Sequence, residues 1–148
     1  MNEDQQVPSD HDLPLSGVRV VDLSRLVSGN ILTHVLADLG ADVLKVEPPG
    51  RGDELRAWRR KGVSTYWLAY SRNKQSVTLD LRSEDGFAEL RGLLAEADVL
   101  VENFRPGTLE RMSSRAKRCR KSIPAWWSRA SRAGGRRAAS RTKAASAR

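Results

Sequence analysis

Two short β-branched segments, residues 18–23 and 42–46, flank an amphipathic segment in the first third of the chain. Short apolar segments of this kind are typical of buried strands. Between them, Ile31, Val35 and Leu39 recur at the spacing of one helical face. A strand, a helix and a second strand in this order form the βαβ unit of a parallel sheet. The sequence therefore predicts a parallel α/β architecture.

The alternation of strand and helix patterns continues as far as Met112. Residues 76–81 alternate polar and apolar side chains, which indicates a strand, and residues 98–102 form another short apolar segment. Between them, Ser83 opens a segment whose apolar residues share a helical face. Residues 64–69 are apolar and aromatic, and their pattern does not distinguish helix from strand. We therefore predict the N-terminal part of an open, doubly wound α/β fold with a mostly parallel, Rossmann-like sheet.

The 148-residue chain changes character after residue 112. Residues 113–148 contain 12 Lys or Arg and no Asp or Glu, whereas residues 1–112 contain 14 basic and 18 acidic side chains. The net charge of +8 therefore combines an acidic body with a basic tail. Neither the tail nor residues 1–14 has an apolar period. We predict a disordered leader over 1–14, a folded body over 15–112 and a disordered, low-complexity tail over 113–148.

The composition argues against several classes of protein. The sequence has no run of about 18 apolar residues that would form a transmembrane helix. Its polar, acidic start is unlike a signal peptide, and the single Cys119 allows no internal disulfide. No residues have the spacing of metal ligands, so we predict no metal site. These features favour a cytoplasmic protein.

The basic tail suggests a second class of function. Its cations accompany Trp126 and Trp127, and cations together with aromatic rings bind single-stranded nucleic acid by charge and stacking. No nucleic-acid-binding motif is present, so such binding would be electrostatic and nonspecific. Its affinity would depend steeply on salt and would survive deletion of residues 1–112.

Four sequence blocks occur in the body: residues 15–24, 36–50, 72–81 and 97–107. They begin with Leu-Ser-Gly-Val, Leu-Ala-Asp-Leu, Arg-Asn-Lys-Gln and Ala-Asp-Val-Leu. In content, order and spacing these blocks resemble family III CoA-transferases, the CaiB/BaiF group that includes formyl-CoA transferase and α-methylacyl-CoA racemase. Because members of this family are several times longer, the resemblance covers only the N-terminal part of such an enzyme.

The resemblance implies transfer of coenzyme A (CoA) between an acyl-CoA and a carboxylic acid. In the family, an aspartate attacks the acyl-CoA to form a mixed anhydride, and CoA then returns as an enzyme thioester before it passes to the acceptor. The family segment with this aspartate has no counterpart in residues 113–148. We therefore expect a truncated, catalytically incomplete member with no catalytic residue. Turnover by the purified chain would contradict this expectation.

The same resemblance implies a coenzyme-binding role for residues of the body. Seven positions match family positions that contact CoA: Arg25, Leu26, Leu79, Arg82, Asn103, Phe104 and Arg111. The first two belong to the first βα loop, and the next two flank the nucleotide. Asn103 and Phe104 match a loop near the adenine and the pantetheine, and Arg111 matches a phosphate-contacting arginine. Arginines suit phosphates, and an aromatic ring suits the apolar arm of the coenzyme.

Two further expectations come from the resemblance. Members of the family form interlocked homodimers, so we expect a second copy of the chain as a partner of the intact protein. A racemase relative of the same fold is an alternative to a transferase, because its acid and base groups would also lie further along the chain.

The basic tail can also be interpreted as an out-of-frame translation of the segment that the family carries next. Trp has a single codon, and GC-rich codons chosen for residues 125–137 encode a strand and a Gly-rich motif in a shifted frame. We therefore predict a frameshift at the start of the tail. Sequencing the gene from the codon for Glu102 onward tests this prediction, because a closed shifted frame would make the tail genuine.

Overall fold

A computed structural model describes residues 13–115 and 138–140 of the chain. Its strands are β1 (Arg19–Asp22), β2 (Asp42–Glu47), β3 (Lys74–Thr78), β4 (Val99–Val101) and β5 (Ala138–Ser140). Its α-helices are α1 (Leu26–Asp38), α2 (Thr65–Tyr70), α3 (Glu84–Glu96) and α4 (Thr108–Arg115), and a 3-10 helix spans Glu54–Ala57. Within this part of the chain, no helix is long and apolar enough to cross a membrane.

The strands form one sheet in the order β3-β2-β1-β4-β5. The first four of these are parallel, and Val21 of β1 lies opposite Leu44 of β2 and Leu100 of β4. The chain runs outward from β1 through β2 to β3, and then returns to the other side of β1 with β4. This reversal is the switch point of a doubly wound sheet, so the predicted Rossmann-like α/β fold is confirmed.

Helices cover both faces of the sheet. Because alternate residues of a strand point to opposite sides, one strand contributes to the buried clusters on both faces. Val21 belongs to a buried cluster that includes Phe87 and Leu90 of α3. Its neighbour Val20 belongs to a second buried cluster that includes Ala37 of α1. A strand with two covered faces has no solvated side, which explains why both Val20 and Val21 of β1 are buried.

Helix α1 does not bury its apolar face. Ile31, Val35 and Leu39, which share that face, are between 38% and 48% exposed. The helix instead buries Asn30 and Thr33 completely. These polar side chains form hydrogen bonds with charged side chains beneath the helix, so the polar face turns inward.

Two elements go beyond the sequence prediction. The ambiguous segment 64–69 becomes α2, whose first turn is capped by the Ser64 hydroxyl. In the predicted disordered tail, β5 pairs antiparallel with β4, and Ala139 lies opposite Leu100. Residues 1–12 of the predicted leader lie outside the described residues. Helix α4 continues to Arg115, so residues 113–115 of the predicted tail are helical. Residues 116–137 and 141–148, which include Cys119, Trp126 and Trp127, lie outside the described residues as well.

Candidate functional site

A cleft of about 340 Å³ opens at the carboxyl ends of the parallel strands, beside the reversal of strand order at β1. Its lining residues come from the segments that follow β1, β2, β3 and β4. Doubly wound sheets bind their ligands in this position, because the connections to both sides of the switch point leave a crevice there. The cleft is therefore the candidate functional site.

The cleft combines apolar side chains with three cations and three acidic side chains, Glu47, Asp53 and Asp80. Glu47 is paired with Arg56, and Asp53 with Lys45. The apolar side chains are Leu23, Val46, Leu79, Leu81, Phe104 and Met112. The cations are Arg25, Arg51 and Arg82. Guanidinium groups bind phosphates and carboxylates by paired hydrogen bonds, while apolar side chains hold an uncharged part of a ligand. The cleft is therefore chemically suited to an anionic ligand with an apolar part.

The structure brings together most of the seven residues that the resemblance implied. Arg25, Leu79, Arg82 and Phe104 line the cleft directly. Asn103 supports it through the main chain of Arg25, from which its Oδ1 accepts a hydrogen bond of 2.8 Å. The Asn103 Nδ2 donates a second bond of 2.7 Å to the Arg25 carbonyl. These two bonds fix the backbone of the β1–α1 loop where it faces the cleft.

Arg25 projects between an aromatic ring and a carboxylate. Its guanidinium carbon lies 5.3 Å from the centre of the Phe104 ring. Its Nη1 lies 3.3 Å from Oε1 of Glu54. Both contacts are only partly buried, so they orient the guanidinium without removing it from solvent.

Leu26 and Arg111 are not among the lining side chains of the cleft. Leu26 is the first residue of α1 and adopts a φ of 60°, a left-handed value that is uncommon for a residue with a side chain. Arg111 lies on α4, where its Nη2 donates a hydrogen bond of 3.1 Å to the Thr108 hydroxyl. A coenzyme-binding role for either residue stays a prediction.

Four charged side chains lie buried beneath the β1–α1 loop: Asp22, Lys45, Asp53 and Lys74. We call them the buried charge cluster, and each side chain is at most 2% exposed. Lys45 Nζ lies 3.4 Å from Asp22 Oδ1 and 3.2 Å from Asp53 Oδ2. Lys74 Nζ lies 3.6 Å from Asp22 Oδ2. Two cations thus neutralise two anions, as buried charges require.

Lys74 is the cluster member that lies against α1. Its Nζ donates hydrogen bonds of 2.6 Å to the Thr33 hydroxyl and 3.0 Å to the Asn30 carbonyl. Burial lowers the pKa of Lys74 to about 8, although the neighbouring Asp22 carboxylate opposes this effect. The polar face of α1 therefore packs inward because it solvates a buried ammonium group.

Asp53 connects the cluster to the loop that follows β2. Its Oδ2 accepts a hydrogen bond of 2.9 Å from Asn30 Nδ2, and its Oδ1 accepts one of 2.9 Å from the Leu55 amide. Its own amide donates a bond of 2.8 Å to Glu47 Oε2. One residue therefore joins helix α1, the end of β2 and the start of the 3-10 helix.

Glu47 ends β2 and anchors the same loop. Arg56 pairs with it in a bidentate manner, with Nε 2.7 Å from Oε2 and Nη2 2.8 Å from Oε1. Burial alone would raise the pKa of Glu47, but hydrogen bonds from Arg56, the Ser76 hydroxyl and the Asp53 amide lower it to about 2. Arg56 also lies over the Trp67 ring, 3.9 Å from its centre. The pair therefore holds the loop against α2.

Arg51 and the buried charge cluster were not predicted from the sequence. Arg51 lies between two glycines in a charged loop, where its pattern is that of any solvated residue. A lysine in the middle of the apolar β2 segment was the available signal for the cluster, because a buried lysine requires acidic partners. Among the residues that the structure describes, no group of three or more His, Cys, Asp or Glu side chains could hold a metal ion.

The chain is similar to proteins of one known family. The family model for CoA-transferase family III matches residues 15–126. Over 100 residues the chain is 48% identical to succinyl-CoA–D-citramalate CoA-transferase of Chloroflexus aurantiacus, a match that covers 66% of this chain and 25% of that protein. It is also 44% identical over 102 residues to the Homo sapiens succinyl-CoA:glutarate CoA-transferase, which covers 67% of this chain and 23% of that protein. The chain thus spans about a quarter of the length of these curated relatives.

Solved structures show the same similarity. A hypothetical protein of Mycobacterium tuberculosis superposes with a TM-score of 0.64 at 44% identity, over 68% of this chain and 28% of that one. A CaiB/BaiF family protein of Brucella suis superposes with a TM-score of 0.63 at 40% identity, over 72% of this chain and 30% of that one. The observed sheet is therefore the arrangement that these longer proteins share in the matched region.

Proposed function

Because the chain belongs to CoA-transferase family III, we propose that the cleft binds coenzyme A or an acyl-CoA. The reaction that such binding serves in the family is transfer of CoA between an acyl-CoA and a carboxylic acid, through an aspartyl intermediate. For the chain itself we propose coenzyme binding without complete catalysis, because the described residues provide no candidate for that aspartate. The observation that carries the proposal is the set of three arginines beside apolar side chains at the switch point of the sheet. The named relatives are transferases, which favours acyl exchange over the racemase alternative.

Each implied residue has a proposed part in this binding. Arg25 and Arg82 contact the phosphates of CoA, and Arg51 is a third phosphate contact that the sequence did not suggest. Phe104 and Leu79 contact the less polar part of the coenzyme. Asn103 and Leu26 shape the loop that presents Arg25, and Arg111 on α4 contacts a phosphate. No residue of the described part is proposed as the nucleophile.

Arg25→Ala and Arg82→Ala are each expected to raise the Kd for CoA about tenfold. A hydrogen bond to a charged group contributes about 1.5 kcal/mol or more to binding, and tenfold corresponds to about 1.4 kcal/mol. Isothermal titration calorimetry of the 148-residue chain with CoA measures the effect. Dephospho-CoA, which lacks the 3′-phosphate, then identifies the arginine that contacts that group.

Arg72→Ala is the matched control for these variants. Arg72 is an exposed arginine whose Nη2 lies 2.8 Å from Asp38 Oδ2, and it is not a lining residue of the cleft. Its removal is expected to leave the Kd unchanged. If Arg25→Ala and Arg82→Ala bind CoA as tightly as Arg72→Ala does, the proposed site is wrong.

We also propose that the chain pairs with a second copy through the apolar face of α1. Leu32 and Val35 are 44% and 48% exposed there, beside Ile31 and Leu39. A continuous apolar surface on a helix marks a site of association. Light scattering is expected to give the mass of a dimer for the wild type and of a monomer for Val35→Lys, and a monomeric wild type would contradict this.

A cytoplasmic location stays a prediction.

A further inference from the structure

Three consecutive carbonyl groups in the β1–α1 loop each accept a hydrogen bond from a side chain. The Ser24 carbonyl accepts one from Lys45 Nζ. The Arg25 carbonyl accepts one of 2.7 Å from Asn103 Nδ2. The Leu26 carbonyl accepts one of 2.6 Å from Asn30 Nδ2. The loop is thus held from the cleft side by Asn103 and from the interior by Lys45 and Asn30.

The interior attachments belong to one connected network. Asp53 Oδ2 lies 3.2 Å from Lys45 Nζ and accepts a bond of 2.9 Å from Asn30 Nδ2. Asp22 Oδ1 accepts bonds of 2.8 Å from the Ser24 amide and 2.5 Å from its hydroxyl. Asp22 thus holds the amide and hydroxyl of Ser24, and Lys45, which contacts both aspartates, holds the Ser24 carbonyl.

The loop needs this support because its conformation is unfavourable by itself. Leu26 has a φ of 60°, and residues with a side chain adopt such values only where their surroundings impose them. The neighbouring Arg25 is one of the three cations of the cleft. The position of its guanidinium therefore depends on a backbone that the buried cluster holds in place.

We infer that Lys45 is a positioning residue, which holds the Ser24–Leu26 loop from the interior so that Arg25 is presented to an anionic ligand in the cleft. The effect on ligand affinity rests on the proposed binding of CoA, whereas the effect on the loop does not. Lys74 provides the contrast within the same cluster. Its hydrogen bonds go to Asn30 and Thr33 of α1, and none of them reaches a loop carbonyl.

The experiment compares Lys45→Met with Lys74→Met, each combined with Asp53→Asn. The second substitution keeps the cluster neutral, so that neither protein has to bury an unpaired carboxylate. The wild type, whose cluster also has equal numbers of cations and anions, is the reference, and circular dichroism confirms that all three proteins fold. Amide hydrogen exchange of Ser24 and Arg25 reports on the loop, and calorimetry with CoA reports on the ligand.

We expect Lys45→Met to speed amide exchange at Ser24 and Arg25 about tenfold and to raise the Kd for CoA about tenfold. Lys74→Met should leave both the exchange rates and the Kd close to those of the reference. Adding Arg25→Ala should then weaken binding much less in the Lys45→Met background than in the reference, because the two residues act through one loop. A general loss of stability would not produce this coupling.

The possible outcomes separate the two proposals. Equal exchange at Ser24 and Arg25 in the Lys45→Met and Lys74→Met proteins would overturn the positioning role. A full Arg25→Ala effect in the Lys45→Met background would overturn it as well. If exchange responds as expected but the reference protein does not bind CoA, the positioning role stands and the proposed function fails.

Discussion

Gly86→Ala is expected to destabilise the protein by about 2 kcal/mol, whereas Gly92→Ala in the same helix should stabilise it by about 1 kcal/mol. A Cβ at position 86 would lie 2.3 Å from the carbonyl oxygen of Asp80, and the next nearest atoms also belong to the Asp80 backbone. A backbone cannot rotate away as a side chain does, so α3 or the turn after β3 must move. A Cβ at position 92 meets no atom within 4 Å and only improves helix propensity. Urea unfolding of both variants measures the two effects.

Gly86→Ala also has a functional consequence, because Asp80 and Arg82 line the cleft beside the displaced turn. We expect Gly86→Ala to weaken CoA binding while Gly92→Ala leaves it unchanged. Equal unfolding midpoints for the two variants would show that the close approach of α3 to Asp80 does not contribute to stability.

Glu47→Gln is expected to destabilise the protein by about 3 kcal/mol at pH 7. This value is at the lower end of the range of free-energy costs for removing one partner of a buried ion pair. Glu47 is 3% exposed, and its carboxylate accepts bonds from Arg56, Ser76 and the Asp53 amide. The estimate stays at the lower end because the Arg56 side chain is 39% exposed and can be rehydrated. Glu96→Gln is the control, since Glu96 pairs with Arg19 at the surface and should contribute little.

The contribution of Glu47 also depends on pH. Its pKa falls from an ordinary value of 4.5 to about 2 on folding, so the folded state binds this proton less tightly than the unfolded state does. The stabilisation is therefore fully present above about pH 4.5 and is lost as the pH falls through about 2. Urea unfolding at a series of pH values should show the difference between wild type and Glu47→Gln shrinking over this interval. A constant difference would contradict the assigned pKa.

The strands of the body were predictable because β1, β2 and β4 carry short β-branched apolar segments and β3 lies in a segment with an alternating pattern. The helix faces were less predictable. The apolar positions of α1, such as Val35, are exposed, and its polar Thr33 is buried because Lys74 lies beneath it. Helical periodicity identifies the apolar face of a helix, but it gives no information about the charged residues on the strands against which the helix packs.

The candidate site was predictable only in part. Parallel strands bring their carboxyl ends together, so residues that follow β1, β3 and β4, such as Arg25, Arg82 and Phe104, meet at one cleft. Lys45 within β2 signalled a buried charge, but its partners were not predictable, because the cluster joins residues as distant in the chain as Asp22 and Lys74. Strand β5 was missed because its Ala-rich segment has no alternating pattern, and only the open edge of β4 pairs with it.

Asp53 has a consequence for the thermodynamics of binding. It connects α1, the end of β2 and the 3-10 helix, so the two walls of the cleft beside Arg25 and Arg51 form one unit. The conformational entropy of these segments is lost when the chain folds, before any ligand arrives. A ligand that enters the cleft therefore meets preorganised walls, and we expect its association to require little further loss of backbone entropy.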